Sequence, residues 1–146
     1  MHWMPRSEIL TFEEIERLAR ICVEHYGFDG IRLTGGEPTI RAHITRLVSK
    51  LAALGVDLAL TTHGETLRHH SHDLREAGLR RINISLDTLV PEKFAQMTRR
   101  DELANGLEGS EVASRAGFDR VKLSAVGGRG PKDDDRGARA RCGGDR

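Results

Sequence analysis

Between Arg32 and Arg41 the chain reads RLTGGEPTIR, and four of these residues are unusual together. Gly35 and Gly36 carry no side chain, so a ligand can approach main-chain N–H and C=O groups directly. Glu37 supplies a carboxylate able to pair with an ammonium group, and Pro38 fixes the exit of the backbone into the next helix. An amino-acid-like ligand with a free amine and carboxylate suits such a site. The residues equally fit a tight strand-to-helix turn, with Glu37 near a helix N-terminus where the dipole favours its charge. A second chemical grouping is HHSH, where His69 and His72 would share one helix face. No carboxylate or cysteine completes an obvious ligand set there, so the expectation is an exposed polar helix face, with no metal site.

The elements that position these residues follow a rhythm. Thr11 and Glu14 form a capping box at the head of TFEEIERLARICVEHYG. Ile15, Leu18, Ala19, Cys22, Val23 and Tyr26 then recur at helical spacing, and Gly27 can take the left-handed conformation that ends a helix. A strand is expected at about Gly30 to Thr34, then a helix carrying Ile44, Leu47, Val48, Leu51 and Leu54. The segments VDLALTT, RINISLD and DRVKLSAV read as three further strands. A weaker helix ends near Gly78; others are expected near residues 91–97 and 102–116. Short helix–glycine–strand connections imply parallel strands covered by helices. This is an α/β fold, either an open doubly wound sheet or part of a β/α barrel, and both bind ligands at the C-terminal strand ends. Those ends read TGGEP, TTHG, SLD and KLSAV, so the chemistry is expected on one rim.

The stretches GIRLTGGEPTIR, LTTHG, GLRRINISLD and FDRVKLSAV occur in this order, preceded by WMPRSEILTFEEIERLARIC. Over about residues 3–126 they resemble the molybdenum cofactor biosynthesis protein A family, the GTP 3′,8-cyclases of the radical SAM superfamily. The resemblance implies a fragment of a partial (β/α) radical SAM barrel with about four parallel strands, using S-adenosylmethionine, [4Fe–4S] clusters and GTP. In that family the cluster reduces S-adenosylmethionine to a 5′-deoxyadenosyl radical. The radical abstracts the ribose 3′ hydrogen of GTP, and the ribose carbon attacks C8 of the base, on the way to molybdopterin. Carried over residue by residue, Gly36 and Ser85 fall at S-adenosylmethionine, and Arg32, Thr61 and Lys122 at GTP. No catalytic side chain and no metal ligand is implied among the residues present.

The departures from the family are specific. Its first cluster needs three cysteines in a C-x₃-C-x₂-C loop, because thiolates hold such a cluster. This chain has two cysteines, Cys22 and Cys142. It is expected to begin downstream of the cluster loop, without the first strand, and to lack the three cysteines of the family's second cluster. His63 and Ser124 stand where the family usually has Asn, and Gly106 and Gly109 interrupt a helix. Two classes of function follow: a piece of a GTP-cyclising enzyme, or a non-catalytic remnant that binds nucleotide or S-adenosylmethionine weakly.

Composition limits the rest. The 146 residues give room for one ordinary domain, and a net charge of +1 gives no global field toward nucleic acid or membrane. No apolar run approaches the roughly 20 residues of a membrane span. A cytoplasmic protein is expected, with residues 1–126 as the partial barrel. Residues 127–146 contain six glycines, ten charged residues and no Leu, Ile, Val or Phe. They are expected to be a disordered low-complexity tail, reading like an abrupt loss of the family sequence. A barrel without its first strand leaves an unpaired sheet edge, so self-association is expected there.

Overall fold

The computed structural model describes residues 8–85 and 103–124. The helix expected near residues 91–97, the tail and Asp87 lie outside the described residues. Four strands form one parallel sheet in the order β1-β2-β3-β4: β1 Gly30–Leu33, β2 Asp57–Thr62, β3 Arg81–Ser85 and β4 Arg120–Ser124. Among the described residues the α-helices are α1 Phe12–Tyr26, α2 Ile44–Ala52, α3 Leu67–Glu76 and α4 Leu103–Arg115.

One core joins sheet and helices. Leu58 and Leu60 of β2 and Ile82 and Ile84 of β3 point to the same face and meet Leu47, Val48 and Leu51 of α2, Leu67 and Leu74 of α3 and Ala113 of α4. The alternate strand residues, Arg32, Thr61, Arg81, Asn83, Arg120 and Lys122 among them, point the other way. A parallel sheet in a doubly wound fold carries helices on both faces and reverses its strand order at a switch point. Here the order runs without reversal and the core lies on one face, so the sheet is a segment of a β/α barrel, and its polar face is the barrel's inside.

The α1 helix forms as its sequence dictates. Glu14 N–H donates to Thr11 Oγ1 at 3.2 Å and Thr11 N–H donates to Glu14 Oε2 at 2.7 Å, which closes the capping box. Gly27, at φ 68°, ends the helix. Phe12, Ile15 and Ala19 reach the core, yet no residue of α1 is fully buried; Leu18 is 55% and Ile21 39% exposed. The neighbouring strand β1 is at the sheet's edge and pairs only with β2 among the described residues.

Ion pairs add to this thin docking. Lys50 Nζ on α2 donates to Glu16 Oε2 at 2.7 Å, and Arg20 holds Glu16 Oε1 at 2.9 Å. The Lys50 hydrogen bond, with Arg20 second, lowers the Glu16 pKa below the usual carboxylate value. The backbone hydrogen bond at Thr11 lowers that of Glu14. A carboxylate whose pKa is lower folded than unfolded stabilises above its unfolded pKa, and that contribution is lost as pH falls through the folded value. The Lys50 pKa is raised by Glu16, so its contribution is present at neutral pH and is lost only in strong alkali. Acidification through the carboxylate range is therefore expected to loosen α1 before the sheet. Amide exchange measured on a descending pH series checks this; uniform loss of protection in α1 and β2 would contradict it.

Candidate functional site

The rim is built around Glu37. The β1 strand ends at Leu33, Thr34 to Gly36 are exposed, and the chain then turns inward so that Glu37 is only 8% exposed. Pro38–Ile40 form a single 3₁₀ turn, and α2 starts later, at Ile44. Pro38 thus opens this short turn and not the α-helix that the sequence implied.

Both oxygens of Glu37 are committed to the protein. Oε1 accepts from Thr39 N–H at 3.0 Å, from Thr62 Oγ1 at 2.8 Å and from the Thr39 hydroxyl. Oε2 accepts from His63 N–H at 2.8 Å. Thr62 Oγ1 in turn accepts from Gly64 N–H at 3.0 Å, and the Thr66 hydroxyl donates to that of Thr39. Glu37 is therefore a tie between the ends of β1 and β2. The tie to Thr62 and His63 at the end of β2 is a role that the sequence readings of Glu37 did not give it. What the tie leaves exposed is the bare backbone of Gly35 and Gly36, and a Cβ at Gly36 would meet nothing within 4 Å.

On the polar face the register sets side chains in rows. Arg32, Ala59, Arg81 and Arg120 share one row, and Thr61, Asn83 and Lys122 the next. Ser85 and Ser124 form a third, at the C-terminal ends of β3 and β4. Arg32, Arg81, Asn83, Arg120, Lys122 and Ser124 line a cavity of about 280 Å³. Ser124 Oγ donates to Asn83 Oδ1 at 2.7 Å.

The residues singled out from sequence are thus brought together on one side. Arg32, Thr61 and Lys122 face the same way, Arg32 and Lys122 in one cavity, with Gly36 and Ser85 at strand ends on the rim. Asn83, Arg81 and Arg120 were missed. The two-residue alternation in RINIS and RVKLS carries them onto this face with Ser85 and Lys122, and that signal was readable.

Of the histidines on α3, His69 and His72 are exposed and His70 is half-buried. Arg68 Nε–H donates to His69 Nε2 at 2.9 Å, the His69 and His70 rings meet edge-on at 6.5 Å, and His72 lies 3.7 Å from Glu76. Among the described residues no group of three or more His, Cys, Asp or Glu side chains is placed to hold a metal ion. Cys22 is a half-buried free thiol on α1, opposite in kind to a cluster loop. These residues do not fit an iron–sulfur cluster.

A sequence model of the radical SAM superfamily matches residues 2–141. The chain belongs to the radical SAM superfamily. Members use S-adenosylmethionine with a [4Fe–4S] cluster. Among its relatives, the GTP 3′,8-cyclase of Acidothermus cellulolyticus is 50% identical over 136 residues, which is 91% of this chain and 37% of that protein. The GTP 3′,8-cyclase of Rhodopirellula baltica is 46% identical over 130 residues, 88% of this chain and 36% of the relative. GTP 3′,8-cyclase 2 of Pseudomonas aeruginosa is 42% identical over 137 residues, covering 92% and 41%. The radical SAM chain thus spans 36–41% of these relatives' length. Of solved structures, methylornithine synthase superposes with a TM-score of 0.64 at 20% identity, over 83% of this chain and 36% of that one. That likeness is one of fold and agrees with the barrel segment seen here. Among the described residues no helix is long and apolar enough to cross a membrane.

Proposed function

We propose that this radical SAM chain is the part of a GTP 3′,8-cyclase that carries the nucleotide-binding sheet face. The observation that supports it is the convergence of Arg32 and Lys122 in one cavity, with Thr61 on the same face, in a chain 42–50% identical to proteins of that name. Arg32 would grip phosphate oxygens as a planar fork and Lys122 as a point charge, while the Thr61 hydroxyl donates one further hydrogen bond. Gly36 and Ser85, at the ends of β1 and β3, would meet S-adenosylmethionine, the glycine through bare backbone. The cyclisation itself belongs to the whole protein of which such a chain is a part. Binding is the property assigned to these 146 residues.

Titration of the chain with GTP at low salt tests this. Two or three charge-assisted hydrogen bonds, on the order of 1.5–3 kcal/mol each, must offset an association cost of at least ~4 kcal/mol. The expected Kd is therefore roughly millimolar, about 4 kcal/mol of net binding. Lys122→Ala should weaken it roughly tenfold, and Ser85→Ala should leave it nearly unchanged. Absence of GTP binding in the millimolar range, or equal effects of the two substitutions, would overturn the assignment.

A further inference from the structure

The row Arg32, Ala59, Arg81, Arg120 sets Arg81 and Arg120 directly opposite each other on neighbouring parallel strands, on one face. Adjacent strands lie about 4.8 Å apart, and like charges placed opposite one another destabilise a sheet. Lys122 is one pleat further along β4 on the same side. Four cationic side chains thus share a cavity of about 280 Å³.

Their counter-charges do not balance them. Arg81 forms an ion pair with Asp57, which leaves its Nε–H buried without a hydrogen-bond partner. Asp119, next to Arg120 in sequence, is engaged by Arg75 at 3.6 Å and Arg80 at 3.9 Å. Among the described residues Arg32, Arg120 and Lys122 form no ion pair with a carboxylate. A sheet that breaks its own pairing rule without an internal compensation is a candidate for an external one, here an anion. The cavity lies at the small end of ligand pockets, which run from ~300 Å³ upward, and it is polar. It matches a phosphate chain better than a whole nucleotide.

We propose that Arg120 forms a second phosphate-binding position beside Arg32 and Lys122, so that the cavity selects an extended phosphate chain over a single phosphate. In its nucleotide form this rests on the proposed GTP-binding role. The phosphate chain itself, whether of a nucleoside triphosphate or free, is what these side chains recognise.

The test uses the full 146-residue chain at low ionic strength, titrated with inorganic tripolyphosphate, pyrophosphate and orthophosphate, and with GTP and GMP, followed by amide chemical shifts. Affinity should rise with phosphate number. Arg120→Ala should weaken tripolyphosphate about tenfold and leave orthophosphate nearly unchanged, and Arg120→Lys should recover part of the loss. A second readout separates binding from folding. Without anion, Arg120→Ala should raise the denaturation midpoint, because a like-charge contact is gone; with saturating tripolyphosphate it should lower it relative to the parent chain. Equal weakening of all three anions, no weakening, no binding of tripolyphosphate by the parent chain, or a lowered midpoint in both conditions would overturn the inference. Chain-length selectivity without GTP binding would overturn the nucleotide reading alone. GTP binding without chain-length selectivity would overturn only the Arg120 position.

Discussion

Glu37→Ala is expected to destabilise the chain by about 3–5 kcal/mol, more than any other single polar substitution on the rim. The carboxylate accepts from two main-chain N–H groups, Thr39 and His63, and from the Thr39 and Thr62 hydroxyls. Thr39 and Thr62 are themselves buried, so their donors cannot turn to water. Each buried donor left unsatisfied costs roughly 1–3 kcal/mol, and some of that is recovered when hydroxyls rotate. Glu37→Gln separates charge and acceptor loss from cavity formation. Its amide keeps one oxygen, but its NH₂ must face a donor, either His63 N–H or the Thr39 and Thr62 side, so it should cost about 1–3 kcal/mol. Urea denaturation measures both. Amide exchange at His63 and Gly64 should speed up in both variants, before any change in the core strands. A Glu37→Gln chain as stable as the parent, with His63 still protected, would show that the tie is not what holds the two rims.

The framework was legible because its determinants are local. The α1 boundaries follow from Thr11, Glu14 and Gly27, each of which acts within one turn. The strands were legible from apolar alternation, but the residues alone left an open sheet and a barrel both standing; the barrel segment came from the family resemblance and the structure bears it out, because single-sided cover is a property of packing and not of any one strand. The four-residue GGEP stretch was read correctly as a turn exposing backbone, but the role of Glu37 was not legible. Its partners Thr62 and His63 are 25 and 26 residues away, and no local pattern reports a contact of that separation. The basic row was missed for a related reason. Alternation places Arg81 and Arg120 on a face, while only the inter-strand register places them opposite one another.

Gly109 reverses its meaning between sequence and structure. Within a helix a glycine costs about 1 kcal/mol relative to alanine, so by propensity alone Gly109→Ala should stabilise α4 by that amount. The packing says otherwise. A Cβ on Gly109 would stand 2.1 Å from Gly64 O, 3.1 Å from Gly64 C and 3.2 Å from Leu67 Cβ. The obstructing atoms are main chain at the start of α3, so no rotamer change relieves the clash; α4 must move away from the TTHG turn. Overpacking of this kind costs about 1–3 kcal/mol or more, which exceeds the propensity gain. The α4 helix also buries Ala113 and Ser110 in the same region, so displacing it opens the core beside Leu67. Gly109→Ala is therefore expected to destabilise by about 1–3 kcal/mol net and to shift the amide resonances of Gly64 and Leu67. Gly36→Ala serves as the contrast: its Cβ enters open space, and stability should change by less than about 0.5 kcal/mol. A stabilised Gly109→Ala chain with Gly64 unperturbed would mean that α4 stands clear of the turn and that its glycine is only a weak point in the helix.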